Sequence, residues 1–207
     1  MSSTTPPSRP RLRDRYDRKQ QQLVRDAAHV FAEHGFDQTT IQDLATALDW
    51  SAGGIYHYVA SKDELLVLIC QQVMIPLLDQ AADLLAAEHD PAEQLRSLVR
   101  LWVTHVTEHR DHMLVFQQER HVVDHGNEWQ AVRASRKRFE RILAGILRQL
   151  QESWQLRGAD ARITLAALLG MVNYTVQWYQ PKGRLSPHAI ADGYTDLVLA
   201  PGRDSGA

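Results

Sequence analysis

Only one cysteine, Cys70, stands in the 207 residues, so no intrachain disulfide can form and no multi-cysteine metal framework exists. A lone thiol fits a reducing compartment. Glycine (11) and proline (8) are too scarce for a fibrous or low-complexity chain. No unbroken apolar run reaches the about 18 residues of a membrane span. The opening Ser, Thr, Pro and Arg residues lack the apolar stretch of a secretion signal. A cytoplasmic protein without a membrane partner is the expectation. The alternation that marks strands is also scarce. There is no Gly-rich phosphate loop and no Gly-x-Ser-x-Gly elbow, and Cys70 lies in an apolar stretch with no activating neighbour. These gaps argue against an enzyme and against a cofactor.

What is present is ordinary in sum and uneven in distribution. Hydrophobic residues at 44% and charged residues at 23% suit a globular chain that builds a core. The formal net charge is -2. Between Met1 and Arg25, however, seven basic residues (Arg9, Arg11, Arg13, Arg15, Arg18, Lys19, Arg25) face two acidic ones, Asp14 and Asp17. From Val67 to His125 four basic residues face nine acidic ones. A basic start and an acidic middle point to an anionic partner at the N-terminus.

Apolar spacings of three and four dominate, so the chain is expected to be all-α. Residues 1–17 are polar and Arg-rich and read as a flexible basic arm; residues 201–207 read as a tail. Helices are predicted over about Arg18–Glu33, Thr40–Leu48 and Ser51–Tyr58. A fourth starts at Lys62, with Ser61 and Glu64 as a capping box, and Pro76 should kink or end it. Longer helices follow near Pro91–Thr107, Asp111–Val123, Glu128–Gln155, Asp160–Tyr179 and Pro187–Leu199. Residues 18–66 form a predicted small domain and 67–200 a larger one, with no flexible linker between them.

Two short helices joined by a tight turn, packed on a third, suit a DNA-reading helix-turn-helix. Ser51 to Tyr58 is the candidate recognition helix. Ala52, Gly53 and Gly54 allow close approach to base edges, although Gly53-Gly54 costs about 2 kcal/mol of helix propensity against Ala-Ala. Tyr56, His57 and Tyr58 offer groups for phosphates or bases, and Thr40, Gln42, Ser51 and Lys62 complete the candidate DNA set. The stretch Ala28–Leu66 resembles the DNA-binding domain of TetR-family repressors. Phe31, Gly35-Phe36, Thr39-Thr40-Ile41, Asp43-Leu44-Ala45, Ser51, Gly53, Ile55-Tyr56, Tyr58, Ser61-Lys62 and Glu64-Leu65-Leu66 carry the likeness. Trp50, Gly54 and Val59 depart from it; Gly54 lies in the recognition helix, so no operator sequence can be borrowed. The resemblance implies a homodimeric repressor released from double-stranded operator DNA by a small molecule.

The C-terminal part carries large amphipathic side chains suited to an apolar pocket with a few polar groups. The candidate ligand residues are Trp102, His105, His109, Met113, Phe116, Arg120, Trp129, Arg133, Asn173, Tyr174, Gln177 and Trp178. Core filling is the competing reading for each. The run Leu169–Ser186, ending Trp-Tyr-x-Pro-x-Gly-x-Leu-Ser, resembles a TetR branch that responds to acyl-CoA thioesters, which makes such a thioester the suspected effector. Dimer packing explains that run equally well. Another apolar effector, or a helical carrier that never meets DNA, stays open. His105, His109 and His112 are spaced for a metal face, but Arg110-Asp111 marks a helix junction that takes His112 out of line, so no metal is assigned. The last two long helices are apolar on more than one face, which predicts a homodimeric four-helix bundle.

Overall fold

A computed structural model describes residues 6–119, 129–157 and 160–200. Among these, the chain is helical: α1 (Pro10–His34), α2 (Ile41–Ala47), α3 (Ala52–Tyr56), α4 (Lys62–Ala87), α5 (Pro91–Glu108), α6 (Arg110–Gln118), α7 (Gln130–Glu152), α8 (Ala161–Trp178) and α9 (Pro187–Val198). The one β-type pairing among them is an isolated antiparallel bridge between Leu156 and Leu199. Most predicted starts are met by side-chain caps. Thr40, Ser51, Asp90, Asp160 and Ser186 each accept a backbone N–H at the head of a helix.

Two elements differ from expectation. Helix α1 begins at Pro10, so residues 10–17 are helical and not part of a flexible arm. Proline suits a first helical turn because its fixed φ is already helical and its missing N–H would have had no partner. The Arg residues that follow are good helix formers. Helix α4 runs through Pro76 to Ala87. The proline removes the N–H that would have bonded to the Gln72 carbonyl, a cost of about 3 kcal/mol. Burial of Leu77, Leu78 and Ala81 directly after it offsets that cost. By length and composition α4 is apolar enough to cross a membrane, but 56% of the relevant window is buried inside the protein, as in a core helix. The end of the helix predicted to reach Val123 lies outside the described residues, as do residues 1–5 and the tail.

The chain divides into two compact units, Met1–Val73 with Asp111–Arg133, and Met74–Arg110 with Ala134–Ala207. The predicted division at 66/67 is therefore corrected in two respects: it falls within α4 at Val73/Met74, and the described residues 111–119 and 129–133 pack with the N-terminal helices. The reason is apolar. Leu23, Ala27 and Phe31 of α1, Leu44 of α2, Ile55 of α3 and Leu65, Leu66 and Ile69 of α4 form one core, and Val115, Trp129 and Val132 complete it. His29 on α1 also meets Asp111 at the head of α6, Nδ1 to Oδ2 at 2.9 Å, with Glu33 3.6 Å from Nε2. The hydrogen bond to Asp111 chiefly raises the imidazole pKa, with the Glu33 and Asp26 charges adding.

In the second unit, α5 packs on α8 and α9. Arg96 and Arg100, four residues apart on α5, meet Asp196 and Asp192, four apart on α9, at 2.9 and 2.6 Å. The reversed order of the two pairs makes these helices antiparallel. The end of α9 is tied to the segment after α7: Arg157 N donates to Val198 O (3.0 Å) and Ala200 N to Gln155 O (2.7 Å).

Candidate nucleic-acid interface

The turn between α2 and α3 is built from local rules. Thr40 and Asp43 form a reciprocal capping box: Thr40 Oγ1 accepts from Asp43 N at 3.1 Å, and Asp43 Oδ2 accepts from Thr40 N at 2.9 Å. Thr40 Oγ1 donates to the same carboxylate at 2.7 Å. These bonds hold the Asp43 carboxyl below the usual carboxylate range. Asp49 takes a left-handed conformation (φ 55°) that turns the chain, and Ser51 Oγ then caps α3 through Gly54 N at 3.0 Å. Ile55 is the buried pin of α3.

This leaves one side of α3 open. Ser51, Gly53, Tyr56 and His57 are exposed, with Ala52 and Gly54 half-buried. A Cβ at Gly53 would meet nothing within 4 Å, whereas one at Gly54 would meet Ser51 Oγ at 3.1 Å. Gly53 is thus free of any packing demand, and Gly54 is small because the cap sits against it. Gln42 is exposed on α2. The α2–α3 unit therefore presents a low, polar ridge of the size a major groove admits.

Two residues from α1 hold that ridge in place, and neither was among the candidates. Tyr16 Oη donates to His57 O at 3.3 Å, and Gln20 Nε2 donates to Tyr58 O at 2.8 Å. Burial, with the nearby Glu64 charge adding, pushes the Tyr16 phenol up and keeps it a donor. The usable signal was the spacing 16, 20, 23, 27, which extends the apolar stripe of α1 by two amphipathic side chains.

Two candidates change role. The Tyr58 ring lies 4.8 Å from Tyr16 and 5.7 Å from Trp50, so it packs α3 onto α1. Lys62 Nζ donates to Phe36 O (2.8 Å) and Thr39 O (3.0 Å) and stands 4.2 Å over the Phe36 ring. Two of its three donors are engaged within the protein, tying the head of α4 to the loop before α2. At that head Ser61 Oγ accepts from Glu64 N, while Glu64 accepts from Ala60 N, one residue earlier than a capping box requires.

The candidate ligand residues fall into separate groups. In the first unit, Trp129 is fully buried in the core, Met113 is buried, Phe116 packs against the core and Arg133 is half-buried. His112 Nε2 lies 3.1 Å from Gln72 Oε1. In the second, Trp102 is buried with its ring 4.8 Å from Phe139, and buried His105 has its ring 4.5 Å from that of half-buried His109. Asn173 is half-buried. Arg120 lies outside the described residues. Among the described residues no group of three His, Cys, Asp or Glu side chains is placed to hold a metal ion.

Tyr174, Gln177 and Trp178 depart from the chamber expectation because they are exposed on α8. Trp178 edges a surface hollow of about 210 Å³ with Tyr179, Gln180, Gly183, Arg184 and Leu185. The motif around it is explained by its turn. Gly183 N donates to Gln180 O at 2.8 Å, and a Cβ at Gly183 would sit 2.9 Å from that oxygen. Ser186 then caps α9, and Pro187 starts it.

Residues 23–69 match the family described as "Bacterial regulatory proteins, tetR family", and residues 88–201 match "Tetracyclin repressor-like, C-terminal domain". The chain is 23% identical over 179 residues to the HTH-type transcriptional repressor KstR2 of Mycobacterium tuberculosis, covering 86% of this chain and 90% of that protein. The structure of that ketosteroid regulator superposes with a TM-score of 0.81 at 21% identity, over 88% of this chain and 96% of the other. AibR, solved in complex with isovaleryl coenzyme A and operator DNA, gives a TM-score of 0.77 at 24% identity, over 88% and 99%. At these identities the two structures show a shared fold.

Proposed function

Because the chain belongs to the TetR family of bacterial regulatory proteins, we propose that it is a homodimeric, cytoplasmic repressor that binds operator DNA through α3 and leaves it when an acyl-CoA thioester binds. The observation that carries the DNA-binding reading is the mounting of α3. Tyr16 and Gln20 grip the carbonyls of His57 and Tyr58, while Gly53, Tyr56 and His57 stay exposed. A helix held by its main chain with its side chains outward is arranged for reading base edges. The first unit, which carries α1 to α3, reads DNA, and the second, which carries α5, α8 and α9, senses and dimerises.

Dimerisation is supported by apolar residues that face outward. Ile163 (65% exposed), Tyr174 (64%) and Trp178 (41%) on α8 and Leu197 (64%) on α9 are large and unburied within one chain. Gly170 and Gly193 would let backbones approach, since a Cβ at either meets nothing within 4 Å. Two copies of α8 and α9 would close a four-helix bundle over this stripe.

The thioester is supported by AibR, whose complex holds isovaleryl coenzyme A, and by the aromatic residues of the second unit. A hundredfold loss of operator affinity requires a coupling of about 2.7 kcal/mol, within the usual allosteric range. Linkage makes the effect reciprocal. Calorimetry with a panel of acyl-CoAs and the matching free acids, with and without a duplex from upstream of the coding sequence, tests it. The expected result is that one thioester binds better than its acid and that operator weakens it by the same factor. Equal binding of thioester and acid would leave a repressor of another apolar effector. The turn role of Gly183 and Ser186 favours that second reading, since it accounts for the Trp178–Ser186 motif without a ligand.

A further inference from the structure

The stripe by which α1 grips α3 does not stop at Tyr16. Tyr16, Gln20, Leu23 and Ala27 are spaced four, three and four residues apart and share one helix face. Tyr16 and Gln20 hold the carbonyls after α3, and Leu23 and Ala27 enter the core. Toward the N-terminus the same spacing gives Arg13 and Arg9, both exposed. At about 1.5 Å per residue Arg13 stands about 4.5 Å beyond Tyr16 along the axis. Arg9 is the N-cap residue, with an extended backbone, directly before the first turn. The partner of Tyr16, His57, is the C-cap of α3. Arg13 therefore continues the face that lies on the end of α3, and Arg9 adds a second cation at the head of the same helix. Arg13 has one exposed ion-pair contact, to Asp17 at 3.8 Å, too weak to hold its charge. Arg11, Arg15 and Arg18 are also exposed but occupy the opposite side of the helix. The tetR-family match begins at residue 23, so this overhang precedes the matched domain.

We infer that Arg9 and Arg13 form a phosphate clamp, gripping the duplex backbone beside the half-site that α3 enters. The clamp rests on the DNA-binding reading of α3 and adds to it a second, sequence-independent contact carried by the first turn of α1 and its N-cap residue. Counterion release gives it a signature. Each neutralised phosphate contributes about 0.9 to the slope of log affinity against log salt.

The test is fluorescence anisotropy with a labelled duplex from immediately upstream of the protein's own coding sequence, titrated across salt. It compares the full-length wild type with R9A/R13A and with R11A/R15A, which removes the same charge from the other face. All four arginines are exposed, so both variants should keep the wild-type circular dichroism and melting midpoint. The clamp predicts that R9A/R13A lowers the slope by about 1.8 per protomer and that R11A/R15A leaves it unchanged. A wild type that binds while R9A/R13A keeps its slope overturns the clamp alone. Equal losses in both variants overturn it too, since bulk charge would then be the cause. A wild type that binds no duplex even at low salt overturns the clamp and the DNA-binding reading together.

Discussion

Lys62 directs its charge inward, to two backbone carbonyls and an aromatic face. Charge-assisted hydrogen bonds of this kind contribute about 1.5–3 kcal/mol each, net of the bonds to water that they replace. Lys62→Ala is expected to lower unfolding free energy by about 2 kcal/mol in urea titration and to leave the salt slope of DNA binding nearly unchanged. A stable variant with a slope reduced by about one unit would make Lys62 a phosphate contact instead. Gly53→Ala should behave in the opposite way. With open space around the new methyl group, it should stabilise α3 by up to about 1 kcal/mol and still weaken duplex binding, because the methyl stands on the exposed ridge. Wild-type affinity in Gly53→Ala would remove position 53 from the interface. The role of Lys62 was illegible in sequence for a simple reason: its partners are main-chain oxygens, which no side-chain pattern reveals. The open surroundings of Gly53 were legible because a helix interior seldom accepts paired glycines without cause. Cys70 was legible too, since an apolar neighbourhood pushes its thiol up to about 12.

Among the helices, starts were placed to within a residue where a Ser, Thr or Asp precedes an apolar period, as at Thr40, Ser51, Asp160 and Ser186. Local rules failed where tertiary burial outweighs them, at Pro76 within α4; at the head of α1 it was the local preference of proline for a first helical turn that went unread. The pairing of α5 with α9 was not foreseen, because residues 96 and 196 are too far apart for periodicity to connect. It yields a charge-swap test. R100D should destabilise the second unit, and adding D192R should restore most of the loss. The expected coupling energy is below about 1 kcal/mol, because both side chains are partly exposed. The Arg100 partner holds the Asp192 carboxyl below its usual range. Its contribution is therefore present above the ordinary carboxylate value and lost as pH falls through the lowered one. The His29–Asp111 link has the opposite sign. Its imidazole pKa is raised, so the link is fully present below the ordinary imidazole value and fades as pH rises through the raised one. The stability difference between wild type and His29→Gln should shrink as pH rises from below the ordinary imidazole value through the raised one; a constant difference would mean that the link is not ionic.

For the molecule as a whole, the outward stripe on α8 and α9 predicts that Tyr174→Arg yields a monomer by sedimentation while the helix content stays native. The same variant should bind operator far more weakly, because two half-sites would no longer be engaged together. A dimeric Tyr174→Arg would place the interface elsewhere. The all-α fold was legible because periodicity is a property of each segment. The affiliation of residues 111–119 and 129–133 was not, since Trp129 and Val132 give no sign of which core they will enter. The grip of Tyr16 and Gln20 on main-chain oxygens also bears on how such a regulator changes its target over time. A mount that holds the backbone is indifferent to the letters displayed on the other side. Positions 53 and 56 can drift without loosening α3, so target choice and foldedness become separate traits. A library randomised at those two positions would sort by what it binds, with few members lost to unfolding.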